Sequence, residues 1–156
     1  MSKYSATIIW QRGKDEKYID NKYSRGHEWS FDGGISIPAS ASPKVVPLPY
    51  SIEENIDPAE AFIASIASCH MLYFLSIAAK MNFIVDEYID NPVGVLENDN
   101  EGFMAITKVI LNPKVKFYNN MILLPKEIDE IHNKAHQKCF LVNSIKTHVI
   151  IKKNYI

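Results

Sequence analysis

Residues 57–80 read DPAEAFIASIASCHMLYFLSIAAK, and from Ala61 to Ala79 this stretch carries no Asp, Glu, Lys or Arg. Pro58 suits the first turn of a helix, where its missing N–H is not needed, and Asp57 before it is placed to cap. Phe62, Ile63, Ile66, Met71, Leu72, Phe74, Leu75 and Ile77 fall on every face of that helix, which predicts a helix with no wet side. Such a helix belongs in a core, against a partner or in a membrane. The uncharged run is long enough for a membrane span. Ser65, Ser68, His70, Ser76 and five alanines make it only mildly apolar, however, and Lys80 is soon followed by the strand-like Phe83-Ile84-Val85. Insertion into lipid rewards Leu-rich centres, so the expectation is a buried helix of a soluble protein.

Upstream, Tyr4 to Trp10 alternates apolar and polar residues and reads as a strand. Glu28 to Phe31, the turn Asp32-Gly33-Gly34 and Ile35 to Ile37 predict a hairpin. From Pro38 to Pro58 the chain holds five prolines and no period. Loops of that length in compact domains are usually functional, and this one leads straight into the apolar helix. Downstream, Phe83 to Glu97 reads as strand with a break at Asn91-Pro92, and Asn98 to Gly102 as a turn. Phe103 to Phe117 reads as one long strand. Pro125 opens a second helix whose early acids, Glu127, Asp129 and Glu130, complement the helix dipole. Its apolar stripe is Ile128, Ile131 and Ala135, it ends near Cys139, and Ile145 to Ile151 closes the pattern as a strand. About six strands joined by hairpins, with two helices, make an α+β class. One domain over residues 1–156 is the expectation from length.

A net charge of −1 offers no basic field for nucleic acid. No apolar leader region precedes the first strand, so a cytoplasmic protein is expected. Thiols there stay reduced unless they are catalytic or redox-sensing. Cys69 and Cys139 are the chain's two cysteines: inert thiols, metal ligands or a redox pair. A buried inert thiol is the commoner fate of each. Thiolate chemistry would need a cation, because Cys69 lies too deep in its helix for the N-terminal dipole to serve. Fifteen lysines stand against two arginines, Arg12 and Arg25. Arg25, in YSRGH beside the hairpin, could hold a thiolate and a peroxide oxygen together with its planar fork of donors, or be a solvated turn residue. Glu60 could orient that guanidinium, or be an ordinary acid of a helix start. His132, His136 and Cys139 are spaced to share a helix face, which resembles a zinc set with no obvious fourth ligand except Cys69 or His70, and histidines on the surface of a charged helix are common. There is no nucleophile elbow and no phosphate-binding glycine loop.

Taken together, DPAEAFIASIASCHMLYFLSIAAK and, seventy residues on, AHQKCFLVNSIK at 135–146 resemble the osmotically inducible protein C / organic hydroperoxide resistance (OsmC/Ohr) family. The resemblance spans nearly the whole chain and is closest to an OsmC-like branch. It implies an α+β OsmC-like fold with antiparallel sheets around a long buried central helix, in an intertwined homodimer. It implies thiol-dependent reduction of organic hydroperoxides with no cofactor and no metal, Cys69 being the peroxidatic and Cys139 the resolving cysteine. A dithiol such as dihydrolipoamide would be the reductant, and nucleic acid and membrane would not be partners. Arg25 is the better match to the family's activating arginine. The family's Glu directly follows the helix-starting Pro. Here that position is Ala59, and Glu60 comes one residue later, a turn of about 100° on a helix. The alternative reading is a redox-sensing or small-ligand-binding protein on the same fold, without turnover.

Overall fold

The computed structural model describes residues 1–153, so the last three residues of the expected domain lie outside the described region. The chain forms two compact units, Met1–Ala61 and the residues from Phe62 onward.

In the first unit, β1 (Ala6–Ile9), β2 (His27–Phe31) and β3 (Ser36–Ala39) make an antiparallel sheet in that order. Ile8 pairs with Trp29, which pairs with Ile37. The hairpin turn closes where Gly34, at φ +84°, donates its N–H to Phe31 O, a backbone region that glycine enters without a steric penalty. The proline-rich stretch after β3 is ordered by its own bonds. Ser40 N–H donates to Ile56 O at 3.0 Å, Ile56 N–H to Pro38 O at 3.3 Å, and Ile52 N–H to the buried Ser40 Oγ at 3.0 Å. Helix α1 (Pro58–Lys80) starts from this stretch. Asp57 Oδ1 accepts the N–H groups of Ala59 (2.7 Å) and Glu60 (3.0 Å), while Glu60 Oε2 accepts Asp57 N–H (3.2 Å). The Asp57 cap is what the Asp-Pro start predicted; the Glu60 half makes it a reciprocal capping box.

The second unit is built on the rest of α1. At its far end, Asn82 sits at φ +63° while its N–H bonds Ala79 O and Phe83 N–H bonds Ala78 O. That is a Schellman motif, with Asn in the usual place of Gly. Two sheets follow: β4 (Val85–Ile89) with β7 (Lys114–Phe117), and β5 (Val93–Asn98), β6 (Met104–Leu111), β8 (His148–Ile151) in that order. Helix α2 (Pro125–Lys138) starts with Glu127 Oε2 accepting Leu124 N–H at 2.8 Å. Helix α1 supplies both cores. Ile66 and Ala67 pack with Val109, Leu111 and Val149, whereas Phe74, Ile77 and Ala78 pack with Phe117, Leu123, Ile131 and Ala135.

Three expectations change. The single strand expected over Phe103–Phe117 is two, split at Asn112-Pro113 and assigned to different sheets. Proline cannot donate to a ladder, and Asn112 N–H leaves the sheet direction for Asp90 Oδ1 at 2.7 Å. The sheets are not all antiparallel, because β6 and β8 run parallel, the chain having crossed through α2 between them. The burial of α1 within the chain is also one-sided. Ser65, Ser68, Leu72 and Ser76 form an exposed stripe at three- and four-residue spacing, the period of one helix face.

Gly94 on β5 marks where α1 comes closest to the sheet: a Cβ there would lie 2.4 Å from Ile63 Cδ1. Gly94→Ala is expected to cost about 1–3 kcal/mol as overpacking. Adding Ile63→Val, which removes the clashing methyl, should return most of it. Denaturant midpoints of the four proteins in the double-mutant cycle check this; additive losses would refute the close approach.

Candidate active site

Cys69 and Cys139 reach one point from two helices. Cys69 lies in the middle of α1, and Cys139 is the C-cap of α2, its N–H bonded to Ala135 O at 3.0 Å and His136 O at 3.3 Å. The two Sγ atoms are 2.7 Å apart, both buried and both free thiols. Cys139 donates its S–H toward Cys69. Burial pushes the Cys139 thiol up to about 11, helped by that hydrogen bond and opposed by the Val142 and Leu141 amides. Cys139 is therefore a protonated thiol at neutral pH. Cys69 opens on a groove of about 490 Å3 lined by Leu72, Tyr73, Phe140 and Leu141, with Ser65, Ser68 and Ser76 along the helix side. The geometry brings together two thiols that can exchange a bond, at the floor of a mainly apolar recess.

Arg25 belongs to the first unit. Its Nη1 donates to Asn21 O at 2.9 Å and to Tyr23 O, and its Nη2 to Asn21 Oδ1 at 2.7 Å. Its Cζ stacks 3.7 Å above the Tyr23 ring in a cation–π contact. It lines a pocket of about 380 Å3 with Trp10, Tyr18, Tyr23 and His27. Arg12 is held by the carbonyls of Gly13 and Glu16. The Glu60 carboxylate is engaged in the capping box. Among the described residues no ion pair joins Arg25 and Glu60.

The zinc-like set does not assemble. Cys139 faces Cys69 and His132 turns into the core, and among the described residues no three His, Cys, Asp or Glu side chains group as a metal site. What His132 meets is His70. The two rings are nearly parallel, 7° apart, with His70 Nε2 and His132 Nδ1 at 3.0 Å. Phe74 packs on His132 at 4.6 Å. Both imidazoles are buried, at 0% and 2% exposure. Burial first, and then the neighbouring His132 and His136, hold His70 down near 3; burial first, and then Lys153, holds His132 near 4. Sequence reasoning missed this pair. The signal was present, because His70 sits in a charge-free helix and His132 falls on the Ile128–Ile131–Ala135 stripe.

Comparison with known proteins follows the same lines. The family model described as OsmC-like protein matches residues 53–153. An OsmC-like protein of unknown function from Vibrio cholerae is 48% identical over 97% of this chain and 99% of its own, with a TM-score of 0.94. The chain belongs to the OsmC-like family. An organic hydroperoxide resistance protein from Elizabethkingia anophelis aligns over 99% of this chain and 98% of its own at TM-score 0.70, and at 14% identity shares the fold alone. A Legionella pneumophila organic hydroperoxide resistance protein OsmC does the same over 97% and 96% at TM-score 0.62 and 14% identity. No curated protein matches significantly.

The buried histidines set a pH dependence. Their folded values, near 3 and 4, lie below the ordinary 6.5, so between these limits the unfolded chain binds more protons and stability rises with pH. Acidification from pH 7 to 4 should remove on the order of several kcal/mol. Urea unfolding across that range measures the loss, and replacing both rings together (His70→Leu with His132→Phe) should flatten it. An unaltered slope in the double variant would assign the acid sensitivity elsewhere.

Proposed function

We propose that the protein reduces organic hydroperoxides through the Cys69–Cys139 pair, without a bound cofactor. The observation that carries this reading is the 2.7 Å separation of two free, buried sulfurs. A disulfide needs about 2.05 Å, so resolution asks for less than about 1 Å of approach. Cys69, as thiolate, attacks the O–O bond. An S–O bond forms, the O–O bond breaks, and the alkoxide leaves and takes a proton to become the alcohol. Cys69 is left as a sulfenic acid. Cys139 then attacks that sulfur. The S–S bond forms, the S–O bond breaks, and hydroxide departs with the Cys139 proton as water. A dithiol such as dihydrolipoamide restores both thiols by two exchanges and ends as a disulfide itself.

The environment supports this division of labour. The high value of Cys139 keeps it protonated, and so a poor competitor for peroxide, until Cys69 is oxidised. The groove walls, Leu72, Tyr73, Phe140 and Leu141, suit an organic substrate. Arg25 is the cation assigned to activate Cys69, with Glu60 to orient it. A homodimer, with the second copy of the chain bordering the cysteine groove and leaving it open to substrate, is part of this reading. The protein works in the cytoplasm, where dithiol reductants keep such a pair reduced. The same groove also favours a second reading, a ligand-binding or redox-sensing protein without turnover.

Sub-stoichiometric cumene hydroperoxide should produce an intramolecular Cys69–Cys139 disulfide, mapped by peptide mass spectrometry. Its absence sinks the two-cysteine mechanism. Steady peroxide consumption with dihydrolipoamide, abolished in Cys69→Ser, separates an enzyme from a binder. Arg25→Ala should slow the first oxidation at least roughly tenfold, the loss of a charge-assisted contact. Glu60→Gln keeps the capping box while removing the charge, so a slower oxidation at unchanged stability would assign Glu60 its orienting role.

A further inference from the structure

We propose that a second cavity, distinct from the cysteine groove, binds a small apolar molecule carrying one uncharged hydrogen-bond acceptor, such as a ketone. The cavity holds about 330 Å3, and its walls include Phe74, Val115, Phe117, Leu123 and Ile128. That volume is at the small end of ligand pockets, about 300–1,000 Å3. None of its lining residues lines the cysteine groove. Phe74 serves it from the opposite side of α1 to Ser68 and Leu72, since Phe74 is fully buried where those two are exposed.

One lining side chain is both polar and deeply buried: His132, at 2% exposure. Its chemistry is set by its neighbour. His132 Nδ1 is engaged by His70 Nε2 at 3.0 Å, and among the described residues His70 Nδ1 is buried with no partner. A buried N–H without an acceptor is tolerated less often than an unused lone pair. The His70 proton therefore sits on Nε2 and is donated to His132 Nδ1, which leaves the His132 proton on Nε2. The ring is neutral, being held near 4 by burial. What His132 offers a ligand is thus one N–H donor without charge. An anion would lose its hydration against these apolar walls with no buried cation to replace it, because Lys116, the cation on the lining, is exposed at the mouth. A carbonyl forfeits little on entering and gains the one bond available.

Histidine spectra of the full 15N-labelled chain, which correlate ring nitrogens with carbon-bound protons, test the assignment directly. They should show His70 and His132 both protonated on Nε2, and His132 protonated on Nδ1 would overturn the proposal. Titration with acetophenone should then shift the His132 signals saturably, with nuclear Overhauser contacts from the probe to Phe117 and Leu123. Ethylbenzene, the same skeleton without the carbonyl oxygen, should bind at least tenfold more weakly. Ile128→Trp fills the cavity while leaving both histidines in the chain and should abolish the shift, whereas Leu72→Trp narrows the cysteine groove and should preserve it. A non-saturating titration, equal binding of ethylbenzene, or loss in Leu72→Trp would each refute the site. The contacts to Phe117 and Leu123 stand as a readout if Ile128→Trp does not fold. None of these measurements depends on peroxide turnover, so this site and the proposed peroxidase activity stand or fall separately.

Discussion

A helix that carries no charge for nineteen residues needs cover for its apolar sides, and the second unit supplies it everywhere but along the stripe Ser65, Ser68, Leu72 and Ser76. The first half of α1 lies on the β5–β6–β8 sheet through Ile66 and Ala67, and the second half is enclosed by β7 and α2 through Phe74, Ile77 and Ala78. Two sheets are needed because one twisted sheet of short strands cannot follow a helix of this length. The break at Asn112-Pro113 is the device that divides the strands between them. Gly94 shows how tight the fit is on the first side, where a Cβ would force Ile63 to shift.

The cysteine pair is a by-product of the same packing. Because α2 closes the far half of α1, its C-terminal end arrives beside the middle of α1, and the residue that ends α2 is Cys139. A dithiol placed this way needs no metal or loop to hold it. The backbone bonds that terminate a helix fix one sulfur, and the interior of another helix fixes the second. The cost is that both thiols sit in a low-dielectric place, which is why Cys139 is so weakly acidic.

Much of this was legible in the residues, for reasons that differ by element. The Asp57 cap before Pro58, the hairpin turn at Asp32-Gly33-Gly34 and both helix spans were readable because local chemistry decides them. The division of Phe103–Phe117 was passed over because alternation continues through Asn112-Pro113, although Pro113 was a visible ladder-breaker, and the sheet partners make the break plain. The meeting of Cys69 with Cys139 could not be read from spacing at all; it came from the family likeness. The His70–His132 pair escaped for the opposite reason. Each histidine was visible, but polarity argued for surface or metal, and only the third dimension shows that two polar rings can satisfy each other in a core. Arg25 and Glu60 sit as locally engaged groups, which no reading of side-chain type distinguishes from groups poised to act.

The parallel pairing of β6 with β8 has a consequence for biogenesis. On the ribosome, α1 and β6 emerge well before β8, since α2 lies between them. Until β8 arrives, the sheet beneath Ile66 and Ala67 has an open edge along Val109 and Leu111, and an uncharged helix stands only partly covered. Non-local parallel pairing is slow, and exposed apolar surface with an unpaired edge is what folding assistants recognise and what aggregation exploits. Until β8 is made, the nascent chain thus exposes an unpaired strand edge and an uncharged helix together, and that interval is set by the length of chain, α2 included, between β6 and β8.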